Sequence, residues 1–209
     1  MAEILWIGNG SNTSWHLPTN WQGGVVPDVG DTAVFTNAGT GNCLFNAPVS
    51  TGKVQFDPNW SGTFKTNGYS INCNGFLASQ TTAGTIDLSN STITNTGDTD
   101  FRGLTTNLIT TGTTWIQKGG TSANRVAWRD QGTTRRDFAR LEFAEGSFVR
   151  NYENVLYVGS TYFLGDMRLS NHFRFYASAS VDSSVYIGEK ANVFADIYIY
   201  SSSQEMSQN

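Results

Sequence analysis

Apolar and polar residues alternate along much of this chain, in runs too short to make anything but small strands. Lys53-Val54-Gln55-Phe56 sets Val54 and Phe56 on one side. Thr85-Ile86-Asp87-Leu88 does the same with Ile86 and Leu88, and Ser91-Thr92-Ile93-Thr94 adds Ile93. A period of two marks a strand with one buried face. Between these runs lie turn dipeptides such as Asn67-Gly68, Asn74-Gly75 and Thr96-Gly97. Short strands with turns this frequent predict an all-β coil, a solenoid whose neighbouring rungs bury one another's apolar faces. No strict numerical repeat is visible. The best helical candidate, Arg135 to Leu141, is one or two turns long.

The second half changes character. Apolar doublets recur at Leu141/Phe143, Leu156/Val158, Phe173/Phe175, Val185/Ile187 and Ile197/Ile199, and they draw closer together from Phe173 onward. The closer spacings are those of antiparallel hairpins. The expected fold is therefore a β-solenoid in the N-terminal part, followed by a solenoid continuation or a small β-sandwich over residues 138 to 200. The glycine-rich Gly119-Gly120-Thr121-Ser122-Ala123-Asn124 suggests a boundary. It divides the chain into a coiled part (1–118), a Gly/Arg-rich connection (119–137) and a C-terminal part (138–209). The strand Asp196 to Tyr200 carries isoleucines on one face and Tyr198 and Tyr200 on the other. The two tyrosines are expected at a subunit contact, with a polar tail after them.

Composition narrows the choice of partners. Only 14% of residues are charged, against roughly 25% in ordinary domains. The net charge of −4 argues against a nucleic-acid partner, because phosphate binding needs a basic face. Charge is nevertheless uneven: Lys53 and Lys65 are the only lysines or arginines before Arg102, and every arginine lies from there onward. Cys43 and Cys73 are too few for a disulfide framework and read as buried thiols. The N-terminus lacks the charged and apolar regions of a secretory signal. No apolar run approaches the roughly 20 residues of a membrane span, so no membrane partner is expected.

The most distinctive segment is Trp6-Ile7-Gly8-Asn9-Gly10, then Trp15, then Asn20-Trp21-Gln22-Gly23-Gly24-Val25-Val26-Pro27, then Gly30-Asp31-Thr32-Ala33-Val34-Phe35. Tryptophans this close in sequence, yet separated by turn residues, cannot share one short strand and are expected to fold over a common apolar surface. Gly23 and Gly24 permit positive φ, Pro27 presets a turn, and Asp31 can bond local amides. Trp6, Trp15, Trp21, Gly23, Gly24, Pro27 and Asp31 are thus read as an end cap. The competing reading is a sugar-stacking platform.

This pattern resembles the opening segment of β-helical passenger regions in autotransporter-type adhesins and of related bacteriophage virion proteins. The likeness covers residues 6 to 35 and, more loosely, the chain to residue 94. It implies a right-handed β-helix. With no signal or anchoring segment seen, it also implies a virion protein assembled in the host cytoplasm.

Catalytic chemistry finds little to stand on. His16 and His172 have no metal-ligand partners at a recognisable spacing, and no nucleophile elbow or phosphate loop is present. Glu142 and Glu145, Asp98 and Asp100, and Asp166 are the carboxylates that could pair, since glycosidases need two about 5–10 Å apart. They read as solvated or turn-forming groups, and no enzyme, metal or cofactor is expected. The arginine cluster says more. Arg125, Arg129, Arg135, Arg136 and Arg140 crowd one short stretch around Trp128, and Arg and Trp are enriched at interface hot spots. These residues, with Tyr198 and Tyr200, are the expected protein interface, docking an acidic partner.

The functional expectation joins the resemblance to these surfaces: a homotrimeric capsid cement or decoration protein bound to the major capsid protein. The alternative is a tail-fibre or spike module that binds, or else degrades, a host-surface glycan.

Overall fold

Every described strand but the last pairs in parallel with one lying about a coil away along the chain. Glu3–Trp6 pairs with Thr32–Phe35, which pairs with Lys53–Phe56, which pairs with Phe76–Leu77. The computed structural model describes residues 2–8, 13–39, 41–78, 84–102, 107–130, 137–150, 161–162 and 164. It also describes the backbone of 136, 151, 155–160, 163, 166–169, 173–176, 185–187, 193–194, 197–201 and 204–207.

The pairings build a parallel β-solenoid with three sheets. The first has nine strands, running from Glu3–Trp6 through Thr99–Asp100, Val126–Arg129, Phe148–Asn151 and Asp166–Leu169 to Val193–Phe194. The second has four: Cys43–Leu44, Thr63–Lys65, Thr85–Asp87 and Leu108–Ile109. The third has ten and runs from Val49–Ser50 through Ile71–Cys73, Thr92–Asn95, Thr113–Gln117, Arg136–Phe143 and Val155–Phe163 to a closing strand, Gln204–Ser207. Among the described residues the second sheet ends at Ile109, so the early coils have three sheets and the described strands beyond it fall into two.

Register exposes a repeat that the linear pattern hides. Val49 pairs with Ile71, Ile71 with Ile93 and Ile93 with Trp115, an identical step in sequence each time. Cys43, Phe64, Ile86 and Leu108 stack in the same way on the second sheet. What repeats is burial, not residue type. The next steps stretch, from Trp115 to Leu141 and from Thr99 to Trp128, and later ones shorten, from Leu141 to Thr161 and from Phe148 to Asp166.

Inward positions fuse into one core dominated by aromatic rings, and all six tryptophans are among its fully buried side chains. Phe35 stacks on its register partner Phe56 at 4.8 Å and meets Trp15, Trp60 and Phe64 from the sides. The chain of ring contacts continues through Phe76, Phe101, Trp115 and Trp128 to Phe143. Edge-to-face pairs of this kind add about 0.5–1.5 kcal/mol each beyond area burial.

Where the third sheet turns into the first, a buried polar column replaces the rings. Asn95 Nδ2 donates to the Thr99 hydroxyl at 2.7 Å and to the Gly97 carbonyl at 3.0 Å, while its Oδ1 accepts from Gly75 N–H at 2.8 Å. Gln117, one coil on, accepts from Thr99 at 2.7 Å and donates to the Gly97 carbonyl at 2.8 Å. These amides satisfy corner groups that no sheet ladder reaches. Both cysteines are buried and free. Burial pushes the Cys73 thiol up to about 12, against a smaller opposing pull from the Gly75 amide, and burial alone raises Cys43.

Four sequence expectations need correction. Residues 138 to 200 do not form a sandwich: their described strands continue the parallel ladders, and only Gln204–Ser207 runs antiparallel, against Ile197–Ser201. The helical candidate is the strand Arg136–Phe143, whose irregularity is a register shift between Asp137 and Arg140; Arg135 lies outside the described residues. The segment after Tyr200 is no polar tail, since it folds back as the closing strand and covers the edge of Ile197–Ser201. The 119–137 segment contains a rung, Val126–Arg129, that pairs on both sides. Gly119 and Gly120 have φ of +88° and +80° there, and a Cβ would collide with the carbonyls of Thr96 and Phe148. They are tight corners between coils.

Candidate functional site

The tryptophan segment closes the N-terminal end of the solenoid. Trp6 and Trp21 meet edge to face at 5.0 Å, and Trp15 and Trp21 at 4.7 Å. The Trp21 indole N–H donates to the Trp15 carbonyl at 2.6 Å, and the Trp6 indole N–H to the Gly41 carbonyl at 3.1 Å. Backbone bonds from Trp15 N–H to the Leu44 carbonyl and from Leu44 N–H to the Thr13 carbonyl cover the outer edge of the second sheet. His16 joins the same seam: its Nδ1 lies 2.7 Å from Asn46 Oδ1. Gly23 and Gly24 both take positive φ. Pro27 is buried, and the Asp31 carboxylate accepts from Asp28 N–H at 3.3 Å. A sugar-stacking platform needs an open ring face, whereas Trp6, Trp15 and Trp21 are 0%, 1% and 1% exposed. The stacking alternative for these rings is overturned.

The arginine cluster is split by the fold. Trp128 is fully buried and packs on Trp115 and Phe143 across the core, so its indole belongs to the interior and not to an interface. Strand alternation then puts Arg129 on the outer face of the first sheet, while Arg125 precedes the same strand at its other end. Arg136 and Arg140 belong to the third sheet, on the other side of that core. The short stretch from Arg125 to Arg140 thus spans two faces, and the predicted single surface does not form.

Each half acquires new neighbours instead. On the first sheet, register sets Ala127 beside Arg150 and Arg150 beside Arg168. Asp98 Oδ2 lies 3.7 Å from Arg129 Nη1, and Asp98 Oδ1 accepts from Ala127 N–H at 2.8 Å. Asp100, the register partner of Arg129, takes a forked contact from Arg102, the shortest arm 2.7 Å. Arg125 lies over the Phe148 ring at 5.5 Å. Arg102, Arg150 and Arg168 were not singled out from the sequence. Their signal was one coil away: a residue about a rung further along the chain sits on the next strand.

On the third sheet, Arg140 donates to Glu142 Oε2 at 2.6 Å and lies over Tyr162 at 3.7 Å. That contact ties down one of the carboxylates considered for catalysis. Tyr198 and Tyr200 occupy a strand paired on both sides, with Phe173–Tyr176 and Gln204–Ser207; their side chains, like His172, lie outside the described residues. Among those residues no group of three or more histidines, cysteines or carboxylates could hold a metal ion.

The second sheet carries one ion pair, Lys65 to Asp87 at 2.9 Å. Burial opposes the Asp87 charge, but hydrogen bonds from the Ser89 hydroxyl and Lys65, the Ser89 N–H and the Lys65 charge outweigh it and hold the carboxyl below its ordinary value. A depressed carboxyl stabilises the fold above its unfolded pKa, and the contribution fades as pH falls through its folded one. Asp87→Asn should therefore cost up to about 1 kcal/mol near neutral pH. In thermal melts the gap to the parent should close on acidification below the ordinary carboxylate range.

Comparison of the chain with known protein families, curated proteins and solved structures finds no match. The bacteriophage, virion and capsid-decoration identity drawn from residues 6 to 35 is thereby corrected: no phage, capsid or other viral protein stands behind it. What remains of the resemblance is architectural, a parallel β-solenoid closed at its N-terminal end by tryptophans.

Proposed function

We propose that this chain is a non-catalytic binding module that docks a carboxylate-rich partner on the outer face of its first sheet. The observation that carries this reading is the register that gathers Arg125, Arg129 and Arg150 with Arg168 on adjacent rungs of a chain otherwise poor in charge. Neighbouring strands stand about 4.8 Å apart, so the positions of Arg150 and Arg168 repeat at nearly that spacing, while Arg125 and Arg129 flank Ala127, the register partner of Arg150, two residues to either side. Each guanidinium has five N–H donors and forks onto carboxylates. Asp98 and Asp100 border the strip and orient its first rows. The non-catalytic part of the reading draws on three of the five candidate acids, Asp98, Asp100 and Glu142, each of which already faces an arginine.

The test is binding of fluorescent poly-glutamate, followed by anisotropy at rising salt. Retention should weaken steeply with salt. Replacing both Arg129 and Arg150 by alanine should lower affinity by roughly tenfold or more, the equivalent of about 1.4 kcal/mol. Unchanged affinity in that double variant, or no binding by the parent, overturns the proposal.

A further inference from the structure

A second surface lies on the third sheet, on the rungs from Val49 to Gln117 that precede the Arg140–Glu142 pair. Ile71, Ile93 and Trp115 are fully buried, so alternation turns Asn72, Thr92, Thr94, Thr114 and Ile116 outward. Register arranges them in two columns parallel to the solenoid axis. Ser50, Asn72, Thr94 and Ile116 form one; Thr92 and Thr114 form the other. Rungs are about 4.8 Å apart, and same-face positions along a strand are about 6.6 Å apart. From Val49 to Gln117 these pairings contain no register shift.

Two properties separate this plane from ordinary solvated surface. None of its six positions bears a charge. Its hydroxyls are also uncommitted: among the described residues those of Thr92, Thr94 and Thr114 have no hydrogen-bond partner, and the plane's one internal bond is a long contact from Asn72 to Ser50 at 3.5 Å. Corner threonines behave differently. Thr66 bonds the Ser91 hydroxyl at 2.6 Å, Thr113 the Leu88 carbonyl at 2.7 Å and Thr96 the Cys73 carbonyl at 3.3 Å. At these corners the hydroxyl is used within the chain.

We infer that this plane binds an extended, uncharged polysaccharide lying along the solenoid axis. A charged partner would lose hydration without gaining a counter-charge. A hydroxyl both donates and accepts, the pattern that sugar hydroxyls complement. The threonine methyl groups and Ile116 supply apolar ground for the C–H faces of sugar rings. The rung repeat demands a partner that itself repeats, and a linear glycan does so with a similar period. This surface is independent of the arginine strip, and neither proposal needs the other.

The experiment is co-sedimentation of the full chain with microcrystalline cellulose and with chitin, at low and high salt. The expected result is retention on at least one polymer, insensitive to salt. It should fall to background in the Thr94→Lys/Thr114→Lys double variant and stay unchanged in Arg129→Ala/Arg150→Ala. Both threonines are at least partly exposed, and an unaltered melting temperature shows that the lysine variant is folded. Should it melt early, Thr92→Lys at the exposed edge of the same plane replaces it. The inference is overturned by no retention on either polymer, by retention that survives the lysines, or by retention that salt abolishes. Uptake into growing ice without polymer retention also overturns it.

Discussion

Trp21→Ala should lower the free energy of unfolding by about 3–5 kcal/mol, the cost of emptying a large aromatic site that its surroundings cannot refill. Trp21 is 1% exposed and its ring touches Trp6, Trp15 and Phe35. Truncation also removes the indole donor to the Trp15 carbonyl. Those neighbours are held by the first coil and cannot collapse inward without losing their own contacts. Urea unfolding should show a lower midpoint with little change in slope. Val25→Ala, close by in sequence but 54% exposed, should change stability by no more than about 0.5 kcal/mol. Equal effects from the two variants would mean that the cap is not part of the core.

Asn95→Leu is the second large effect expected. The side chain is fully buried, and its Oδ1 is the acceptor for Gly75 N–H and Gly97 N–H. Leucine is close in size but leaves both amides without that acceptor, at about 1–3 kcal/mol each. The total is on the order of 2–6 kcal/mol, in a position that hydropathy alone would rate as improved. Thr94→Ala, on the outer face of the same strand, should stay within about 0.5 kcal/mol. Amide hydrogen exchange would localise the damage: Gly75 and Gly97 should lose protection first. A variant as stable as the parent would assign the column no structural weight.

Strand alternation was legible wherever one face is buried and the other wet, as at Val54/Phe56 and Ile86/Leu88. The end cap was legible too, because three large aromatics among turn residues have few ways to be buried. The coil length was not, since Val49, Ile71, Ile93 and Trp115 share burial but not one residue type across all four. Hairpin-like spacing in the second half misled because Phe173–Tyr176 and Val185–Ile187 both pair in parallel with the long strand Val155–Phe163, which puts an additional strand within one coil. The arginines misled in the opposite way. Closeness in sequence spread Arg129 and Arg140 over two faces, while Arg129 and Arg150, about one coil apart, became neighbours. In a solenoid, position modulo the coil decides proximity, and that number is invisible until register is known. Arg136–Phe143 looked helical because its apolar residues, Phe138, Leu141 and Phe143, break alternation at the register shift.

The end of the second sheet at Ile109 has a consequence for how the molecule comes apart. Every rung is hydrogen-bonded only to the rungs above and below, so the chain behaves as a one-dimensional stack held by nearest-neighbour coupling. Early coils are joined by three short ladders; among the described residues beyond Ile109 two sheets carry the coupling, on longer strands such as Arg136–Phe143 and Val155–Phe163. Losing one ladder there uncouples more of a rung than losing one of three. Melting should travel rung by rung from an end, and the later coils should open in larger steps than those nearer the tryptophans.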